Sequence, residues 1–226
     1  MTTNTQTALC LHCGKPAADQ LVCAGCGVVA PAAPESDYFA VFSIPRRPTI
    51  DLSDLEQRYY AVSRALHPDL FHDRPPAEQA ASLRMTALVN RAYKTLKDPV
   101  ARGLYWLELH GESLGRDNER VPPALAARVF EVQEQLEELR AARKSGPADA
   151  ETTAIAGVRD ELRADLDGCD ARLARNFERF AIVDGRLAAD GGSDALAETK
   201  KILAELHYVR TLLRDVDREL GAVWNA

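Results

Sequence analysis

From Leu52 to Leu66 the apolar residues Leu52, Leu55, Tyr59, Val62 and Leu66 recur at spacings of three and four, the period of one helix face. Asp51 or Ser53 is available to cap its start. His67-Pro68-Asp69 ends it, because the proline ring fixes its own backbone angle and biases His67 away from helical geometry. After a loop to Pro76, a second helix is predicted from Ala77 to Leu96, with Met85, Leu88, Val89, Ala92 and Leu96 on its apolar side and Lys97-Asp98-Pro99 closing it. A short helix over residues 100–109 follows, and upstream the segment from Asp37 to Ile44 reads as one helical turn or two.

The stretch GESLGRDNERVPP, residues 111–123, has the polarity and the breakers of a linker, and Pro123 suits a first helical turn. Beyond it three long segments keep the same rhythm. Leu125, Val129, Val132, Leu136 and Leu139 mark the first, which breaks near Gly146. Val158, Leu162, Leu166, Cys169, Leu173, Phe177 and Phe180 mark the second. Ile202, Leu206, Val209, Leu213, Val216 and Leu220 mark the third, after a turn at Asp190-Gly191-Gly192. Seven-residue spacing also suits an intermolecular coiled coil, but short turns between comparable helices favour antiparallel packing within one chain, a three-helix bundle.

Composition supports an all-α body. The 226 residues are 46% apolar but only 6% aromatic, rich in the strong helix formers and thin in strand material. The formal charge of -6 argues against nucleic acid as the main partner, since the balance supplies no counter-charge for phosphates. That charge is uneven: residues 1–112 carry -1 and residues 113–226 carry -5. No segment approaches the roughly 18 uncharged apolar residues of a membrane span. The N-terminus shows neither a basic leader with an apolar run nor an Arg-rich presequence, so a soluble, cytoplasmic chain is expected.

Four of the five cysteines fall within residues 10–26. Cys10 and Cys13, then Cys23 and Cys26, form two C-x-x-C pairs, each compact enough to place two thiolates on one ion. Four thiolates make a closed tetrahedral shell, so one structural Zn2+ is the expected occupant, with redox chemistry, another metal, or incidental cysteines holding no metal as the alternatives. A head of residues 1–34 has too small a core to fold without such a metal, and Pro31 and Pro34 bound it. With Lys15 as its one basic residue, the head carries no electrostatic footprint for phosphates. Cys169 lies on an apolar stripe and reads as packing.

Helix, His67-Pro68-Asp69 loop and a second helix holding Asn90, Ala92, Tyr93 and Leu96 together resemble a J domain. The resemblance implies that His67, Pro68 and Asp69 meet a seventy-kilodalton heat-shock-type chaperone and stimulate its ATPase. Arg58 and Arg64 on the preceding helix, with Arg46 and Arg47 before it, are candidate aids to that docking; ordinary solvated charge explains each equally well.

A fuller similarity is to the J-type co-chaperones of iron-sulfur cluster assembly, the HscB family. It rests on Asp37-Tyr38-Phe39, Leu66-His67-Pro68-Asp69, Val89-Asn90-Arg91-Ala92-Tyr93, Leu96-Lys97-Asp98-Pro99 and the bundle after Val121-Pro122-Pro123. It implies a four-cysteine head over 1–34, a J domain over 35–115 and a bundle over 116–226. The expected partners are a dedicated HscA-like chaperone and an IscU-like cluster scaffold, with a monomeric co-chaperone that is not itself an enzyme. The family segment carrying scaffold contacts aligns with Val129, Phe130, Glu131, Gln133 and Glu134, and a family aromatic contact aligns with Tyr208. Gln133 departs from the larger apolar residue common there. Phe130 lies about 100° round the helix from the core position Val129, which allows it to face outward; the alternative for both Phe130 and Tyr208 is that their rings complete the bundle core. A general protein-folding J-domain adaptor and a zinc-stabilised structural or nucleic-acid module are the competing readings.

Overall fold

The start and stop signals in the first half act as their chemistry requires. In the computed structural model, which describes residues 37–114, 123–180, 182–183, 186–187 and 192–221, Asp37 caps a four-residue helix α1 (Tyr38–Val41) by accepting from the Phe39 N–H at 2.9 Å. Asp51 caps α2 (Leu52–Ala65), its carboxylate accepting from Ser53 at 2.9 Å and Asp54 at 3.2 Å. A single 3-10 turn, Pro68–Phe71, leads to α3 (Pro76–Lys97), which opens on a proline whose missing N–H costs nothing at that place. Asp98 separates α3 from α4 (Pro99–Glu108), its carboxylate accepting from the Ala101 N–H.

Helices α2 and α3 run antiparallel. Glu56 accepts from the Tyr93 hydroxyl at 3.0 Å, Tyr59 donates to Asn90 at 3.0 Å, and near the other end Ser82 donates to the Leu66 carbonyl at 2.8 Å. Tyr59 and Tyr93 also stack with centroids 4.0 Å apart. Between these polar rungs Leu55, Leu66, Met85, Val89, Ala92 and Leu96 are buried, together with Phe39, Phe42 and Phe71. Each large apolar side chain among them contributes about 1.5–3 kcal/mol of transfer free energy, so the apolar stripe and not the rungs dominates stability.

The chain divides into two compact units between Arg102 and Gly103, inside α4, whereas the linker signals place the end of the first helical module near 115. The later part of α4 explains the difference. Trp106 and Leu107 are fully buried, Trp106 meets Phe180 edge-on at 5.5 Å, and Gly103 brings its backbone against Leu203 and Phe177. A Cβ at Gly103 would stand 3.3 Å from both Leu203 methyls, close enough that the leucine side chain would have to yield slightly to admit it.

The second unit also holds α5 (Pro123–Ser145), α6 (Asp149–Glu178) and α7 (Gly192–Glu219). Arg163 on α6 reaches Asp217 late in α7, while Asn176 near the end of α6 reaches Ala195 and Thr199 early in α7, so these two helices are antiparallel. Val132, Leu136 and Leu139 from α5, Ile155, Val158 and Leu162 from α6, and Val209, Leu212, Leu213 and Val216 from α7 form one core. Of the expected turn at Asp190-Gly191-Gly192, residues 190 and 191 lie outside the described residues, and the described residues before it include a short strand pair. Helix α6 stops at Glu178, and residues 182–183 pair antiparallel with 186–187, Ile182 opposite Leu187, before α7 begins. Phe180, placed on the α6 stripe by its spacing, therefore lies beyond the helix, yet it is buried against Trp106. The β-branched pair Ile182-Val183 favours this short extended excursion in a helix-rich fold.

Candidate functional site

The His67-Pro68-Asp69 loop is held from three sides. At its entry Leu66 is fully buried and its carbonyl accepts from the buried Ser82 hydroxyl at 2.8 Å and from Thr86 at 3.4 Å. In the middle, Pro68 forces His67 into an extended conformation with ψ 130°, then starts the 3-10 turn in which the Leu70 N–H donates to the His67 carbonyl at 2.9 Å. Phe71 closes the turn by burying its ring. At the exit, the Gln79 side-chain amide donates to the carbonyls of His72 at 2.9 Å and Arg74 at 2.8 Å.

On this backbone the candidate side chains stand in solvent. The His67 side chain is 60% exposed and that of Asp69 87%. His67 Nδ1 lies 3.4 Å from the Asp69 main-chain nitrogen and 3.4 Å from Asp69 Oδ2, so the imidazole and the carboxylate are held side by side. A ring N–H donor and a carboxylate acceptor are thereby presented two residues apart, an arrangement suited to contact with another protein surface. Leu70, 61% exposed, adds an apolar side chain beside them that the residue pattern does not single out. Nor does the pattern single out Ser82 and Gln79, which hold the loop. Their one sequence signal is a polar residue at each of two positions one turn apart on α3.

The two arginines expected to assist docking differ. Arg58 is engaged within the fold: its Nε lies 2.9 Å from both carboxylate oxygens of Asp54, and its Nη1 donates to the carbonyls of Phe42 and Ser43 at 3.1 Å. It thus satisfies carbonyls at the end of α1. Arg64 is exposed on the last turn before His67, its Nε donating to the Tyr60 carbonyl at 3.3 Å. Of the upstream pair, Arg46 reaches Asp37 at 3.4 Å and Arg47 is exposed.

On α5, Phe130 is 75% exposed, so the ring is no part of the core. Val129 packs on that core, Gln133 is half-buried, and Glu131 and Glu134 face solvent. Arg128 pairs with Glu131 at 3.5 Å and with Glu161. These residues occupy two successive turns of one helix. Tyr208, on α7, is half-buried with the His207 ring edge-on at 5.6 Å. Cys169 is buried, and desolvation, aided by the Glu205 carboxylate, pushes its thiol above the ordinary range, consistent with packing. Cys10, Cys13, Cys23 and Cys26 lie outside the described residues.

No family model matches the chain. It is 35% identical over 134 residues to the human iron-sulfur cluster co-chaperone protein HscB and 32% over 132 residues to the mouse protein of that name. The human alignment covers 57% of this chain and spans 57% of the relative's length; the mouse alignment covers 56% of each. To the co-chaperone protein HscB homolog of Burkholderia multivorans it is 30% identical over 168 residues, 70% of this chain and 94% of that protein. The fold superposes on the crystal structure of human co-chaperone HscB with a TM-score of 0.69 at 27% identity, over 94% of this chain and 98% of the other. On chaperone HscB from Vibrio cholerae it gives 0.60 at 24% identity, over 81% and 96%, a likeness of fold. The near-complete span of the Burkholderia homologue at that identity, with the same helix-rich fold in the human structure, establishes that this chain belongs to the HscB family of co-chaperones.

Proposed function

We propose that this protein is an adaptor in iron-sulfur cluster assembly. Its J domain stimulates the ATPase of a dedicated HscA-like, Hsp70-type chaperone, and its C-terminal three-helix bundle binds an IscU-like scaffold. The chain is not an enzyme: His67 and Asp69 bias a partner's conformation and do not hydrolyse ATP. One observation carries the reading. The His67-Pro68-Asp69 side chains are exposed on a backbone that Ser82, Phe71 and Gln79 fix, so donor and acceptor are preorganised for a partner.

The second end rests on Phe130, whose exposed ring beside Glu131 and Glu134 offers an apolar anchor with an acidic rim. Joining two binding ends in one chain raises the local concentration of the scaffold at the chaperone. The four-cysteine head is assigned one structural zinc on the chemistry of its donor set. Among the described residues no helix is long and apolar enough to cross a membrane. The test compares ATP turnover by the chaperone, with scaffold present, for the intact protein and for His67→Gln. Strong stimulation by the first and little by the second is expected; equal stimulation would remove the J-domain assignment.

A further inference from the structure

We infer that Gln79 is a positioning residue for the chaperone contact, a clasp on α3 that keeps the His67-Pro68-Asp69 loop closed before any partner arrives. This rests on the reading of that loop as the chaperone contact. Gln79 Nε2 lies 2.9 Å from the His72 carbonyl and 2.8 Å from the Arg74 carbonyl. Main-chain carbonyls only accept, so the atom between them must be the amide nitrogen, with one hydrogen for each. The clasp therefore uses both donors of one side chain and bridges the two exit residues of the loop.

Its counterpart is on the same helix face. Ser82, three residues on and fully buried, fixes the entry through the Leu66 carbonyl at 2.8 Å. Entry and exit of residues 66–74 are thus tied to one rigid helix at positions 79 and 82. Between them only Phe71 anchors the loop by packing, while His67, Asp69, Leu70, His72, Asp73 and Arg74 are all exposed. Exposed loop carbonyls would otherwise exchange partners with water, and the loop would sample open conformers. Closing it in advance leaves less ordering to be done on docking.

The isosteric substitution Gln79→Glu reverses the electrostatics without changing volume, setting a carboxylate against two carbonyl oxygens. When only a fraction of molecules holds the competent loop, apparent affinity falls by that fraction, while saturating co-chaperone still recruits the closed form. The half-stimulating concentration for the cognate Hsp70-type chaperone should rise about fivefold to tenfold in Gln79→Glu, and by a smaller factor in Gln79→Ala, with maximal ATPase stimulation retained. His67→Gln, which removes a contact group, should instead lower the maximum.

Protonation gives the decisive readout. Once protonated, the carboxyl introduced by Gln79→Glu regains one O–H donor, so the half-stimulating concentration for that variant should recover toward wild type as pH falls through the carboxyl's titration. The Gln79→Ala ratio to wild type should stay flat. Thermal unfolding of each full-length variant, followed in parallel, separates the clasp from general destabilisation. Wild-type stimulation with an unchanged half-stimulating concentration in Gln79→Glu overturns the clasp alone. So does a Gln79→Glu shift without recovery at low pH. If the wild-type chain stimulates no Hsp70-type ATPase, the loop assignment itself falls and the clasp with it.

Discussion

Removing the Phe130 ring should weaken scaffold binding while leaving the fold intact. The side chain is 75% exposed in the free chain. A large aromatic residue buries about 150–250 Å² when fully covered, so about 150 Å² of Phe130 remains available to a partner. At about 25 cal/mol per Å² this corresponds to about 4 kcal/mol. Ordering the ring and imperfect cover at an interface reduce it to about 2–3 kcal/mol, the range of an interface hot spot. Phe130→Ala should therefore raise the dissociation constant for the iron-sulfur scaffold about 30- to 150-fold. Its unfolding free energy should move by no more than about 0.5 kcal/mol, because the ring buries little on folding. Val129→Ala, one residue away but packed on the core, should show the opposite pattern: about 1–3 kcal/mol of lost stability and a smaller effect on binding. Titration calorimetry against the scaffold, with urea melts of the same preparations, measures both quantities. A change in affinity below about threefold for folded Phe130→Ala would refute the assignment of this face.

Asn176→Ala should cost about 2 kcal/mol in urea unfolding, since it removes a buried amide that donates to the Ala195 carbonyl and to Thr199; a loss under about 0.5 kcal/mol would show that water replaces it freely. The raised thiol of Cys169 makes the folded state bind its proton more tightly than the unfolded chain does. The resulting stability is complete below the ordinary value of 9.0 and fades as pH climbs through the higher folded value. Denaturation midpoints of wild type and Cys169→Ala, compared at about pH 7 and about pH 10, should diverge less at the higher pH if this linkage operates. Metal analysis of the purified chain should find about one zinc per protein. A strong chelator should then release it with loss of protection at Cys10, Cys13, Cys23 and Cys26, and full alkylation of all four before chelation would contradict a thiolate shell.

The helices were legible because their stripes are long and their punctuation is chemical. Asp51, Pro99, Pro123 and Gly146 lie at or within a residue of observed helix ends. Val132, Leu136, Leu162, Leu206 and Val216, which the spacing alone places on apolar stripes, are fully buried. What escaped depends on which surfaces meet. Helical periodicity cannot say that Gly103, rather than a linker residue, marks the division between compact units, because that follows from Trp106 and Phe180 packing together. Nor does it foresee the excursion at residues 182–187, too short to carry a period. In the candidate site, the exposed side chains belong to a motif visible in the sequence, whereas the residues that hold them do not. Ser82 and Gln79 act on main-chain carbonyls, and a carbonyl leaves no mark in the sequence.

Arg58 bears on how any charge-reversal scan of α2 is interpreted. Its guanidinium holds the Phe42 and Ser43 carbonyls, where Ser43 adopts a positive φ of 50°. An Arg58→Glu variant would set a carboxylate beside those carbonyls and beside Asp54, loosening the junction of α1 and α2. A screen that scores only lost co-chaperone activity would file it together with Arg64→Glu as one docking patch. Heat tolerance separates them, since Arg64→Glu should melt with the parent protein while Arg58→Glu melts earlier. Half of an apparent electrostatic interface would then be a fault in the frame that carries it.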